Sequence, residues 1–359
     1  MVKFISSTKK SKYEMNRSMK AGLIGIGKMG ILHSGILSSM DTVMFAAIAE
    51  RDKRTHSFVN GIMPDIRVYS DYEEMLKAEE LDLVYITTPI HTHVEMAEAC
   101  VNYGVNFFVE KPLGTSANEC LALIRKIRQN PVINMVGYCY HFVDTFQKAK
   151  DIVESMILGK LVYLNSYMYV SQELFRKSKG RAIQYEPGYG VLNVLATHLL
   201  DVLIWLFNDI HQVQGSIKTH YSRNIEDFAH AYLVFRSGLE GYMDTSWSMW
   251  NYRLAEIKIE VEGERGKMIL TSDYVKLYLA EKMQWETYYK QDLYRGVEID
   301  VGGPEYTRED IHFIQSVLEK RNTMTDIYYA MKVQTVTDAV YESALNNRLV
   351  TIDINRGIE

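Results

Sequence analysis

The chain has 359 residues, 47% of them hydrophobic, enough for two ordinary domains with separate cores. Its formal net charge is −5 and no long Lys/Arg tract follows the first residues, which argues against nucleic acid and for a small-molecule partner. No run approaches the length of a membrane span, and three widely spaced cysteines, Cys100, Cys120 and Cys139, form no C-x-x-C pair, so reduced thiols in a cytoplasmic protein are expected.

Residues 1–18, MVKFISSTKKSKYEMNRS, are polar and basic and lack the apolar stretch of a signal peptide, so they read as a disordered extension. A short apolar run, Ala21 to Ile26, reads as a buried parallel strand. It passes into Gly25-Ile26-Gly27-Lys28-Met29-Gly30, a G-x-G-x-x-G turn, and then into Ile31, Leu32, Ile36 and Leu37 at helical spacing. Gly25 permits the tight turn, Gly27 leaves room for a pyrophosphate and Gly30 lets helix and strand pack closely, while the helix start offers free N–H groups to phosphate. A second strand, Val43 to Ala49, ends in Glu50, about twenty residues on, where an acid would hold a ribose hydroxyl. Strand, turn, helix, strand and acid in this register point to dinucleotide binding.

The alternation continues. A helix from Asp52 to Asn60 stops at Gly61, Val68-Tyr69 is a third strand, and Asp71 is placed to cap the helix Tyr72 to Lys77. Leu81 to Ile86 runs into Thr87-Thr88-Pro89 and the loop Ile90-His91-Thr92-His93. A helix, Val94 to Tyr103, closes at Gly104, and a strand, Val105 to Val109, delivers Glu110-Lys111-Pro112 to its carboxyl end. Ligands of open parallel sheets sit outside those ends, so the Gly25 turn, Glu50, Thr88, His93 and Lys111 are expected on one rim. The helix Ala117 to Gln129 and the strand Val132 to Val136 complete a doubly wound unit at 19–137.

From residue 138 to 359 the pattern changes. A helix, Phe146 to Met156, precedes strands at Leu161 to Val170, His211 to Thr219, Ala229 to Phe235, Gly241 to Trp247, Glu256 to Glu262 and Lys267 to Leu270, close enough together for a large, mostly antiparallel open sheet. One apolar helix, Val191 to Phe207, crosses it. Two more, Glu309 to Arg321 and Tyr328 to Asn346, end the chain and are placed to pack back on the first domain. The expected fold is α/β: a Rossmann domain plus a substrate-binding and oligomerisation domain.

Taken in order, Gly25-Ile26-Gly27-Lys28-Met29-Gly30 with His33, Thr88-Pro89 with His93, Glu110-Lys111-Pro112, Gly188-Tyr189-Gly190 leading to His198 and Asp201, Gly263-Glu264-Arg265-Gly266, and Val340-Tyr341-Glu342-Ser343-Ala344 resemble the glucose-fructose oxidoreductase, inositol dehydrogenase and rhizopine-catabolism family, Gfo/Idh/MocA. The resemblance spans about Met19 to Ile352. It implies a nicotinamide cofactor, NAD with NADP as the alternative, held by Gly25, Gly27, Lys28, Met29, Gly30, Glu50, Arg51, Thr88, Pro89, His93, Glu110 and Lys111. It also implies that Lys111 sits beside the nicotinamide and polarises or protonates the reacting oxygen, and partial desolvation would suit such a lysine to acid–base work. Glu50 repels a 2′-phosphate and favours NAD; Arg51 beside it weakens that preference.

One departure from the family stands in the substrate-domain helix. The aspartate usual four residues before the histidine is Val194 here, and the glycine two before it is Ala196. A carboxylate at that spacing would share a helix face with His198 and orient its ring; valine cannot. His198 remains the second catalytic candidate. Asp201, three residues on, could reach it from the following turn. Asn193 points about a hundred degrees away, yet stands with Tyr138, Tyr185, Tyr189 and Arg181 as a possible substrate contact. Arg181 ends a basic loop, Arg176 to Arg181, that would favour an anionic substrate if it covered the pocket. His33 and His91 read as structural or solvent-facing. The histidines have no metal-ligand spacing. Trp247, Trp250 and Tyr252 read as sheet packing or an oligomer contact.

Three functions fit. The first is an NAD(P)-dependent oxidoreductase moving a hydride to or from a hydroxyl or keto carbon of a sugar, cyclitol or sugar-nucleotide-like substrate, as a homodimer or homotetramer joined through the second sheet. A non-catalytic NAD(P)-binding sensor or scaffold is the alternative that Val194 favours. The third uses the cofactor transiently during elimination or glycoside cleavage.

Overall fold

The computed structural model describes residues 18–171, 189–222 and 224–353. The expected extension before residue 18, Tyr185, Arg181 and the basic loop therefore lie outside the described residues.

The first part alternates strand and helix: β1 (Met19–Ile24), α1 (Lys28–Leu37), β2 (Val43–Ala49), α2 (Lys53–Ile62), β3 (Arg67–Tyr69), α3 (Tyr72–Ala78), β4 (Leu83–Ile86), α4 (His93–Asn102), β5 (Asn106–Glu110), α5 (Ala117–Gln129) and β6 (Asn134–Gly137). All six strands are parallel, in the order β3-β2-β1-β4-β5-β6. Strands β4 and β6 are buried at every position, as expected of continuous apolar runs covered by helices on both faces. Strand order reverses between β1 and β4, and the crevice opens there, at the carboxyl ends. Local signals hold the helices in place. Asp71 accepts from Glu73 N and Glu74 N as the α3 cap, and Gly104 takes φ +69 after α4.

The second part consists of α6 (Asp144–Glu154), β7 (Leu161–Tyr169), α7 (Val191–Val194), α8 (Ala196–Phe207), β8 (Ile210–Lys218), β9 (Phe228–Phe235), β10 (Glu240–Ser246), β11 (Glu256–Gly263), β12 (Gly266–Thr271), β13 (Tyr274–Leu279), β14 (Gln284–Tyr289), α9 (Lys290–Leu293), α10 (Pro304–Glu319), α11 (Ile327–Asn346) and β15 (Val350–Thr351). Nine strands form one sheet, β14-β13-β12-β11-β7-β10-β9-β8-β15, antiparallel except where β7 meets β10. Strands β9 and β13 alternate half-buried and buried residues along their length. One face of the sheet packs on helices while the other turns outward with Tyr163, Tyr232 and Tyr242.

Three differences from the sequence reading matter. Helix α2 runs through Gly61 and is capped by Asp52, whose side chain accepts from Arg54 N. Strands β13 and β14 extend the second sheet at one edge, where β14 has no fully buried residue to betray its pattern. The apolar stretch 191–207 is two helices rather than one, broken at Leu195, where φ is −100 and ψ −50.

Helix α10 lies against the first sheet. Phe313 is fully buried, with ring centroids 5.6 Å from Tyr85 and 6.0 Å from Phe108, a burial of the kind that contributes about 1.5–3 kcal/mol. Beyond it, Thr323 Oγ1 donates to Asn134 O and Thr325 Oγ1 to Val136 O, so the chain between α10 and α11 follows the β6 edge. Among the described residues no helix is long and apolar enough to cross a membrane.

The approach of α1 to β1 is the tightest constraint in the first sheet. A Cβ on Gly30 would stand 2.2 Å from Gly25 O and 2.9 Å from Thr87 Oγ1. Gly30→Ala is therefore expected to destabilise the protein by about 1–3 kcal/mol through overpacking, measured as a lower denaturant midpoint with an unchanged slope.

Candidate active site

The rim of the first sheet begins at the glycine turn. Gly25 has φ +89, which glycine tolerates best, and its N–H donates to Ala49 O. At Gly27 an added Cβ would meet nothing within 4 Å, so the turn is open on the side where a phosphate would approach. The first bond of α1 runs from Ile31 N to Gly27 O, which leaves the Lys28 and Met29 amides outside the helix ladder. Glu50 closes the turn from the next strand: one oxygen accepts from Ile26 N at 3.0 Å and the other from Asp52 N at 2.8 Å.

These groups line a cavity of about 590 Å³ that includes Gly25, Gly27, Glu50, Arg51, Thr88 and Pro89. Its far wall carries Tyr72 and Glu95, joined by a 2.8 Å hydrogen bond. Open backbone at Gly27, free amides at the helix start and a fixed carboxylate at the end of β2 fit the pyrophosphate and ribose of a dinucleotide. A larger cavity, about 700 Å³, opens at the opposite edge of the sheet beside Met19 and Asn106. It shares none of these features.

His93 is buried and does not face the cavity. Its Nδ1 lies 2.8 Å from Pro112 O and its Nε2 2.8 Å from Thr88 O, so the ring staples the loop after β4 to the loop after β5. It positions both rim segments. The Glu110 side chain also turns inward, against the expected cofactor contact. Its Oε1 is 3.3 Å from His33 Nε2 and its Oε2 accepts from Lys111 N at 3.2 Å.

Lys111 and His198 are brought together. Lys111 is half-buried and its Nζ donates to Val194 O at 3.1 Å. That carbonyl is free because of the break at Leu195: His198 N turns to Leu195 O at 3.2 Å, leaving Val194 O outside the helix ladder. Burial lowers the Lys111 ammonium below its ordinary value, with Glu110 opposing. His198 is half-buried with its ring 5.3 Å from Tyr140, and burial followed by the Lys111 charge pushes its imidazole well below the usual range. His198 is thus a neutral ring at neutral pH beside a lysine with a weakened hold on its proton. Its Nδ1 has no hydrogen-bond partner among the described residues.

Other candidates lie elsewhere. Tyr138 is buried, 3.4 Å from Thr197 Oγ1, and burial pushes its phenol up rather than down. Asn193 is buried and accepts from Gln334 Nε2 at 3.3 Å, on the side of α11. Asp201 does not reach His198. It is 2.8 Å from His141 Nε2 and accepts from Tyr329 OH at 2.8 Å. Tyr189 OH is 3.2 Å from His91 Nδ1, so it spans from the approach to α7 to the cavity wall, and His91 is part of that contact rather than simply solvent-facing. A Cβ on Gly190 would fall 1.7 Å from Glu226 Oε1, so a larger residue there requires the Glu226 carboxylate to move. Among the described residues no cluster of His, Cys, Asp and Glu could hold a metal.

Behind Lys111 is a group that sequence reasoning missed. His33 is fully buried, its Nδ1 2.9 Å and 3.0 Å from the two oxygens of Asp310. Burial would lower this imidazole, but Asp310 and then Glu110 outweigh it and push it up to about 10. Glu309, also buried, is pushed well above the carboxylate range by burial and then by Glu110. The available signal was Asp310 three residues before Phe313 and four before Ile314, on the buried stripe of α10.

The class follows from this fold and rim. The chain belongs to the Gfo/Idh/MocA oxidoreductases: residues 19–138 match the oxidoreductase family with an NAD-binding Rossmann fold and residues 146–269 the GFO/IDH/MocA C-terminal domain, together more than half of the chain. Among particular relatives, it is 26% identical over 185 residues to 1-carboxy-3-chloro-3,4-dihydroxycyclohexa-1,5-diene dehydrogenase of Comamonas testosteroni, covering 52% of this chain and 46% of that one. It is 24% identical over 259 residues to myo-inositol 2-dehydrogenase of Thermotoga maritima, covering 70% and 74%. The aligned stretch spans about half the length of the first curated relatives it matches. The fold is that of levoglucosan dehydrogenase in complex with NADH and L-sorbose, with a TM-score of 0.81, 20% identity and coverage of 93% and 99%.

The buried cluster makes stability depend on pH. His33 is raised from 6.5 to about 10, so its contribution is complete below pH 6.5 and is lost as pH rises through about 10. Glu309 is raised from 4.5, so keeping it protonated costs stability increasingly above that pH. The melting temperature is expected to fall from pH 6.5 to 10, and Glu309→Gln to gain on the wild type progressively above pH 4.5 in scanning calorimetry.

Proposed function

We propose that the protein is an NAD-dependent dehydrogenase acting on a CH–OH group of a small polyhydroxylated substrate, a cyclitol or sugar. The observation that supports this reading is the bond from Lys111, just after the carboxyl end of β5, to Val194 O, four residues before His198, whose imidazole feels the lysine's charge. The relatives' names support the substrate class, since they denote dehydrogenases of a dihydroxylated ring, a cyclitol and an anhydro sugar.

When bound, NAD supplies the hydride acceptor. Lys111 takes the hydroxyl proton as the hydride leaves, and gives it back in the reverse reaction. Burial makes the amine form more accessible than in an exposed lysine, and the bond to Val194 O orients the amine without competing for its lone pair. His198 supplies a neutral ring nitrogen next to the same oxygen. NAD is favoured over NADP because both Glu50 oxygens are tied to backbone amides, which holds the carboxylate where a 2′-phosphate would have to sit.

The remaining expectations stand as parts of this proposal. The first sheet and its helices hold the cofactor, and the second part binds substrate and joins copies through its outward face, where Tyr163, Tyr232 and Tyr242 cluster in an open concavity. The three cysteines are free and buried, in keeping with a reducing compartment such as the cytoplasm. A non-catalytic NAD-binding role is the second reading, favoured by the absence of a carboxylate at Val194.

Lys111→Met separates the two readings. Under the dehydrogenase reading it lowers kcat with a cyclitol or sugar substrate by about 10²–10⁴, while NADH binding in fluorescence titration is retained, and His198→Asn causes a smaller loss. No NAD-dependent turnover of any polyol by the wild-type protein, with NADH bound, would leave the sensor reading.

A further inference from the structure

The His33 cluster lies behind the catalytic lysine and ties three elements to it. Helix α1 carries His33, strand β5 ends in Glu110, and helix α10 brings Asp310 from 277 residues away. The connection is continuous. Asp310 holds Nδ1 of the ring, Nε2 of the ring faces one oxygen of Glu110, and the other oxygen of Glu110 accepts from the backbone amide of Lys111. Asp310 touches neither the lysine nor the cavity that would hold the cofactor.

We propose that His33 and Asp310 are positioning residues that fix the Glu110 carboxylate against Lys111 and thereby govern how firmly the lysine holds its proton. The inference rests on the dehydrogenase reading for its purpose but not for its test. Glu110 and Cys139 act on the Lys111 ammonium, and Lys111 in turn acts on His198 from α8. Around His33 the titratable groups are Asp310, Glu110, Glu309 and Tyr85, the last with its ring 5.3 Å from the imidazole. The aromatic rings of Tyr85 and Phe108 close the imidazole off from water, so no solvent rearrangement can replace Asp310.

Replacing Asp310 by asparagine removes the anion that outweighs the burial of His33. The ring loses the partner that chiefly keeps it charged, and the Glu110 carboxylate loses the cation that offset its own charge. The uncompensated carboxylate acts more strongly at Lys111, and the ammonium keeps its proton to higher pH.

The test reads Lys111 directly and needs no substrate. The full-length protein is labelled with trace acetic anhydride across a pH series, and acetylation of Lys111 is measured by mass spectrometry against an internal peptide. Asp310→Asn is expected to raise the midpoint of Lys111 labelling by about one pH unit, Asp310→Glu to keep it near the wild-type value, and both to bind NADH with unchanged affinity. An unchanged midpoint in a folded Asp310→Asn protein overturns the proposal, even with a lower melting temperature. If that variant does not fold, Glu110→Gln, which removes the anion itself, is expected to lower the midpoint, and an unchanged midpoint there overturns the proposal equally. A shifted midpoint in a protein that turns over no polyol supports the positioning role while removing the dehydrogenase reading.

Discussion

The approach of Gly30 to the Gly25 carbonyl sets the geometry on which everything at the rim depends. It allows α1 to leave β1 at a tight angle, so the start of the helix faces the crevice at the strand-order reversal. The same approach places His33, one turn later, beneath the end of β5. Within six residues the chain needs left-handed backbone at Gly25, open space at Gly27 and no space at Gly30. Two of these positions, Gly25 by its backbone and Gly30 by its packing, admit no side chain, which is why the motif is legible at all.

Legibility follows the range of the interactions. The first sheet could be read because its strands are buried on both faces and its helices are closed by local signals, such as Asp71 and Gly104, that act within a few residues. The second sheet was legible from the close spacing of its strands without intervening helices. The break at Leu195 was not, because no glycine or proline marks it, and its free carbonyl is taken by a side chain 83 residues away. The burial of His33 was hidden likewise, since imidazole is rarely driven inside by its own chemistry and depends here on two carboxylates from other elements. Asn193, Tyr138 and Asp201 have plausible chemistry and spacing, but each is committed to a partner on another helix or turn. Roles among side chains are decided by such partners, which a sequence pattern does not contain.

Val194 shows how a site can change its chemistry without losing its shape. A carboxylate could both orient a neighbouring group and exchange a proton with it. A backbone carbonyl accepts a hydrogen bond equally well but exchanges nothing at ordinary pH. The lysine here is oriented by the second kind of partner, while its electrostatic environment is supplied from behind by Glu110. Orientation and charge, which one residue could combine, are divided between a helix break and a buried ion pair.

Glu50 carries a comparable division of labour with a different outcome. Its two oxygens are bound to the amides of Ile26 and Asp52, so the acid proposed to face the ribose also holds the glycine turn and the start of α2 together. Coenzyme choice and loop architecture are thereby inherited as one unit. A lineage drifting towards the phosphorylated coenzyme could not simply discard this acid, because doing so would unfasten the turn. The route open to it begins at Arg51, which borders the same cavity and whose side chain makes no backbone hydrogen bond among the described residues.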